Sequence, residues 1–142
     1  MKRMLLIFLV LVMVLTFSSS LYAKSPGVEK FVGKWNMAPN KRAQSGSIEF
    51  KANGTYEMKE KLADGTGVGT KGEFKIATVN EPFRIDLCVD KCGKPGSEWT
   101  TRFGIFRFLS DNKLEIRTSP DGKYPTEFSK DKSEEYTMVL TR

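Results

Sequence analysis

The sequence predicts an all-β domain: an eight-stranded antiparallel up-and-down barrel with a short N-terminal helix. Three observations predict it. Beyond Gly33 the chain breaks into eight short runs in which apolar and polar residues alternate, the period of a strand with one buried face. Turn residues separate these runs at short, regular spacing, as they do in sandwiches and barrels. Closed on itself, a sheet of about eight strands encloses either packed side chains or one small ligand.

The elements follow in order. Ser25-Pro26, then Val28, Phe31 and Val32, give a turn or two of amphipathic helix with proline where a first helical turn tolerates it. Its expected place is over one end of the barrel. The first strand runs through Trp35 to Met37 and stops at Pro39-Asn40. The second, Ser47 to Lys51, sets Ile48 and Phe50 against Ser47, Glu49 and Lys51. Asn53-Gly54 turns it into the third, where Tyr56 and Met58 oppose Glu57 and Lys59, and the dipeptide predicts a type I′ turn. Asp64-Gly65 and the glycines at 67, 69 and 72 predict a mobile link to a fourth strand carrying Phe74 and Ile76.

Pro82 bounds a fifth strand with Phe83, Ile85 and Leu87 on one face and Arg84, Asp86 and Cys88 on the other. The sixth, Thr101 to Leu109, is apolar on both faces: Phe103, Ile105, Arg107 and Leu109 share one, Gly104, Phe106 and Phe108 the other. Its inward phase is therefore open, one set lining the barrel while the other meets the terminal helix or a loop. Asp111-Asn112 leads into the seventh, with Leu114 and Ile116 inward. A crossover containing Tyr124 to Phe128 then precedes the eighth, with Tyr136, Met138 and Leu140.

Ahead of the strands, Lys2 and Arg3, the apolar run Met4 to Phe17 and the small-residue exit Ser18 to Ala23 have the layout of a secretory signal peptide. We expect residues 1–23 to be the leader and 24–142 the barrel domain. The apolar run is shorter than the ~20 residues a bilayer span needs, so no membrane span is expected in the mature chain. The first cysteine is Cys88, far from the leader, so no lipid tether is expected. The product is expected to be exported, periplasmic or secreted.

Without Lys2 and Arg3 the formal net charge falls from +6 to +4, and the basic residues mostly alternate with acids on polar strand faces. Nucleic-acid binders gather Lys and Arg on one face, so no nucleic-acid partner is expected. The chain has no histidine. That removes Ser-His and Cys-His nucleophile pairs and any general base poised near neutral pH. Gly67-Val68-Gly69-Thr70-Lys71-Gly72 matches the letters of a dinucleotide fingerprint, but a strand follows it where that motif needs a helix. Asp86 and Asp90 read as solvated charge. The domain is expected not to be an enzyme and to need no cofactor or metal.

Gly33-Lys34-Trp35, Pro82-Phe83-Arg84-Ile85-Asp86-Leu87, Gly104-Ile105-Phe106 with Asn112-Lys113-Leu114, Tyr124-Pro125-Thr126-Glu127-Phe128 and the closing Val139-Leu140-Thr141-Arg142 resemble, in order, the lipocalin-like (calycin-type) family of small secreted bacterial proteins. The resemblance spans nearly all of residues 24–142 and implies a barrel more firmly than an activity. Cys88-Val89-Asp90-Lys91-Cys92 departs from the family pattern. The resemblance also implies a closure pair: a Gly-x-Trp tryptophan at the barrel floor, here Trp35, with a basic residue of the last strand, here Arg142, across its ring.

Cys88 and Cys92 are the only cysteines, and in an exported chain they predict a disulfide rather than a thiolate copper site. Two functional readings remain. In the first, the barrel is a carrier or sensor for a small apolar or amphipathic ligand, with candidate interior residues Phe50, Tyr56, Met58, Phe74, Ile85, Phe103, Ile105, Arg107, Ile116 and Met138. Arg107, if inward, would pair with a ligand carboxylate. In the second, the partner is a protein, for which the clipped Cys88–Cys92 loop is an inhibitor-like contact on a rigid scaffold.

Overall fold

A computed structural model describes residues 27–96 and 100–142. The expected leader, Ser25, Pro26 and Trp99 lie outside the described residues. A short helix α1 (Val28–Phe31) is followed by β1 (Gly33–Met37), β2 (Ala43–Phe50), β3 (Thr55–Leu62), β4 (Gly67–Ala77), β5 (Phe83–Val89), β6 (Arg102–Ser110), β7 (Lys113–Thr118) and β8 (Thr137–Thr141). Each strand pairs antiparallel with the next, and β1 pairs β8 through Asn36↔Thr141 and Met37↔Leu140, closing the barrel in simple up-and-down order. Among the described residues no helix is long and apolar enough to cross a membrane.

Alternation decides which side chains enter. In β2 and β3, Ile48, Phe50, Tyr56 and Met58 point inward, and register places Phe50 beside Tyr56 and Ile48 beside Met58. Across the far side, Phe83, Phe106, Ile116 and Met138 form one continuous inward row through β5 to β8. Helix α1 lies over the end where β1 begins and inserts Phe31. That ring packs 5.3 Å from Phe50, 4.8 Å from Phe106 and 5.1 Å from Phe108, mostly edge to face.

The Asn53-Gly54 turn differs from the expected type I′, and the Asp64-Gly65 segment, expected to belong to a mobile link, forms a tight turn of the same kind. At Asn53-Gly54 only Gly54 has positive φ, at 84°, and the Gly54 N–H donates to Lys51 O while Lys51 N–H donates to Thr55 O. The loop is thus a type I turn ending in a left-handed glycine bulge, not type I′. Leu62-Ala63-Asp64-Gly65-Thr66 repeats it: Gly65 N–H donates to Leu62 O, and Leu62 N–H to Thr66 O. The Asn53 and Asp64 side chains accept from the Thr55 and Thr66 N–H groups, which fixes both corners.

The expected mobile glycine link is instead strand. β4 begins at Gly67 and pairs with β3 from Lys61↔Gly67 through Tyr56↔Gly72 to Thr55↔Glu73. Glycine carries no side-chain pattern, so the ladder was invisible to alternation.

The barrel's end is closed by the Gly33-x-Trp35 strand start. Trp35 is buried, its indole N–H donates to Phe31 O at 2.7 Å, and the Arg142 guanidinium lies 4.4 Å from the ring centroid. Arg142 also donates to Val32 O and Asp111 O, both at 3.1 Å. One side chain thus ties the helix exit, the β6–β7 turn and the last strand together. We expect Arg142→Ala to cost about 1 kcal/mol, lowering the thermal midpoint by roughly 5 °C. An unchanged midpoint in a calorimetric scan would rule out a closing role.

Candidate functional site

Of the ten candidate interior residues, the structure brings seven together in the core: Phe50, Tyr56, Met58, Phe74, Ile85, Ile116 and Met138. The other three, Phe103, Ile105 and Arg107, are not inside, and this corrects the expectation for them. Register places Ile105 between Arg84 and Arg117, on the outer face, while Gly104, Phe106 and Phe108 point in. The reason is a second, outer layer. The crossover from Ser119 to Tyr136 folds back over β5, β6 and β7, so apolar residues on both faces of β6 are needed. Tyr124 packs 5.1 Å from Phe103 and under the Arg84 guanidinium, and Phe128 lies 4.1 Å from that of Arg107.

Two polar anchors hold that layer. Glu115, on the outer face of β7, is fully buried beneath the crossover; it accepts from Arg107 at 2.8 Å and from Lys132. Tyr124 donates to Asp86. Burial first, then that hydrogen bond to a carboxylate, pushes the Tyr124 phenol up to about 12. Its folded-state value lies above the ordinary one, so its contribution to stability is intact below pH ~10 and is lost as pH rises towards ~12. We expect a phenolate absorbance titration to contain a late-titrating group that Tyr124→Phe removes; a titration unchanged by the substitution would contradict the assignment.

The barrel end opposite α1 is polar inside. Glu60, in phase with Tyr56 and Met58, is 6% exposed and faces Arg42 across 3.4 Å. Burial raises the Tyr56 phenol, with the Arg102 guanidinium partly opposing it. Near this end Cys88 and Cys92 form the expected disulfide, so their sulfurs are not available as thiolates. The Cys92 N–H donates to Glu73, and Lys94 pairs with Asp90 within the same loop.

Among the described residues, an apolar-walled concavity lies at the α1 end. It is an open cleft of about 830 Å³ between α1, the β4–β5 connection, β6 and the crossover, lined by Gly27, Glu29, Lys30, Thr78, Glu81, Pro82, Phe83, Phe106, Arg107, Phe108 and Phe128. Four phenylalanines form its walls. Phe106 is buried, but Phe83, Phe108 and Phe128 remain partly exposed. Between Thr78 and Glu81, Val79 stands 91% exposed. Two cations already lie against the rings: Lys30 Nζ is 5.8 Å from the Phe108 centroid, and Arg107 packs on Phe128.

The candidate residues read from the sequence missed this cleft, apart from Arg107. Its walls come from four segments far apart in the chain, which no local pattern joins. One signal existed for β6: Gly104 shares the phase of Phe106 and Phe108, and a strand glycine marks a crowded face. A Cβ at Gly104 would stand 2.8 Å from Arg117 O and 3.2 Å from Ile85 Cγ2, so that phase is the packed interior. No protein-family model and no curated protein matches this chain.

Proposed function

We propose that the protein is an exported, lipocalin-like binding protein, a non-catalytic carrier or sensor for a small apolar or amphipathic molecule. The observation that carries this reading is the cleft at the α1 end, with Phe83, Phe106, Phe108 and Phe128 in its walls and a few charged groups among them. Ligand sites combine apolar surface with a small number of placed polar groups, and this cleft has both. The barrel core beside it is already packed, with Phe31 filling the end under α1, so the ligand is read as lying against the helix and the β5–β6 edge. Export rests on the leader-like layout of residues 1–23 and on the disulfide.

Two measurements test it. Native mass spectrometry of the protein purified from its own host should carry a non-covalent small molecule. The purified protein should also bind a neutral solvatochromic dye, and Phe83→Ala/Phe128→Ala should lose most of that binding while keeping the far-ultraviolet circular dichroism of the parent. An empty protein that binds no dye would overturn the proposal.

A further inference from the structure

Resting on that reading, we infer that the cleft selects a cationic amphiphile: an alkylammonium head seated on the phenylalanine faces, with its chain along the apolar wall. Charge accounting within the cleft motivates the sign. Arg107 is paired with Glu115 at 2.8 Å, a buried carboxylate that it shares with Lys132. Of the other charged residues in the wall, Glu29 and Glu81 are exposed and, among the described residues, have no cation within ion-pair distance, whereas Lys30 alone stands against them. The carboxylates of the wall that lie outside an ion pair thus outnumber such cations two to one, although the formal charges of the wall balance.

The aromatic walls favour the same sign. A phenylalanine face carries the negative side of the ring quadrupole, and stacked aromatic faces are a general solution for holding ammonium groups. The protein already uses two of these faces in that way, for Lys30 on Phe108 and for Arg107 on Phe128. The Lys30 contact is the looser of the two, at 5.8 Å against 4.1 Å, and comes from an exposed, flexible side chain. An incoming ammonium displaces it from Phe108 and gains the two carboxylates as partners. An anionic head would instead meet Glu29 and Glu81 and find only one uncommitted cation.

Calorimetric titration of the full mature protein with decyltrimethylammonium, decanoate and decanol separates the alternatives. The expected order is ammonium tightest, by about fivefold to tenfold over decanol, with decanoate weakest. Glu29→Gln/Glu81→Gln should weaken the ammonium by about fivefold and leave decanol unchanged, whereas Lys30→Gln should tighten it by about threefold. Amide shifts induced by the ammonium should centre on Lys30, Glu81 and Phe108. Decanoate binding as tightly as the ammonium, equal affinity for all three, or Lys30→Gln weakening the ammonium overturns the charge selection while leaving the ligand-binding reading in place. Failure of all three to bind overturns both.

Discussion

Phe31→Ala is expected to destabilise the protein by about 3–5 kcal/mol, the range for truncating a fully buried phenylalanine. The size follows from where the ring sits. Phe31 is completely buried and meets Phe50, Phe74, Phe106 and Phe108, which belong to β2, β4 and β6, so it bridges walls of the barrel that do not pair with one another. A four-residue helix has too few internal hydrogen bonds to hold itself in place, and Phe31 with the Trp35 bond to its carbonyl is what fixes it. Truncation therefore leaves a void and loosens the helix that lines the cleft. Denaturant titration should show a lower midpoint with an unchanged slope, and Phe31→Leu should recover most of the loss. Because Phe106 and Phe108 line both the void and the cleft, a small aromatic such as benzene should bind the alanine variant and restore part of its stability by mass action. A midpoint equal to that of the parent would mean that α1 does not plug the barrel.

The parts of this architecture that were legible in the sequence are those where one side of a strand meets water. Ile48 and Phe50 against Glu49, or Tyr56 and Met58 against Glu57, give inward phase directly, because only one face is covered. The signal failed where that condition fails. In β6 the crossover covers the outer face, so Phe103 and Ile105 are as apolar as Phe106 and Phe108, and alternation has nothing to contrast. Glu115 is the complementary case: it reads as a surface acid in β7, yet it is buried beneath the same crossover between Arg107 and Lys132. Turn chemistry was half legible. Ala52-Asn53-Gly54-Thr55 and Ala63-Asp64-Gly65-Thr66 announce tight corners, but the choice between type I′ and a type I turn with a glycine bulge depends on the φ of Asn53 and Asp64, which the dipeptides alone do not fix. The closure pair was legible only through family resemblance, since nothing local links Trp35 with Arg142 at the other end of the chain.

Gly72→Ala is expected to be the most damaging single-methyl change in the sheet, and it contrasts with Gly69→Ala three residues earlier on the same strand. A Cβ at Gly72 would stand 1.8 Å from the Cys88 carbonyl oxygen and 2.7 Å from the Asp90 nitrogen. These are backbone atoms of β5 and its exit, and they cannot rotate aside as a side-chain tip would. Their position is held on three sides: by the Gly72↔Val89 pairing, by the Asp90 N–H donating to Lys71 O, and by the Cys88–Cys92 disulfide. Asp90 itself has a left-handed φ of 68°, so the chain turns away from β4 at the residue the new methyl would strike. Relief requires β4 and β5 to separate at that end, at a cost of about 3 kcal/mol, the upper part of the range for forced overpacking. At Gly69, by contrast, a Cβ meets nothing within 4 Å and φ is not in the left-handed range. Alanine there restricts the unfolded chain and favours the strand, so Gly69→Ala should be neutral or stabilising by up to ~1 kcal/mol. Hydrogen exchange should locate the difference, with protection at Gly72, Phe74 and Asp90 falling in the first variant and unchanged in the second. Equal stability of the two variants would show that the glycines form a loose link after all, and that the tight approach of β4 to the clipped loop is not a fixed part of the barrel.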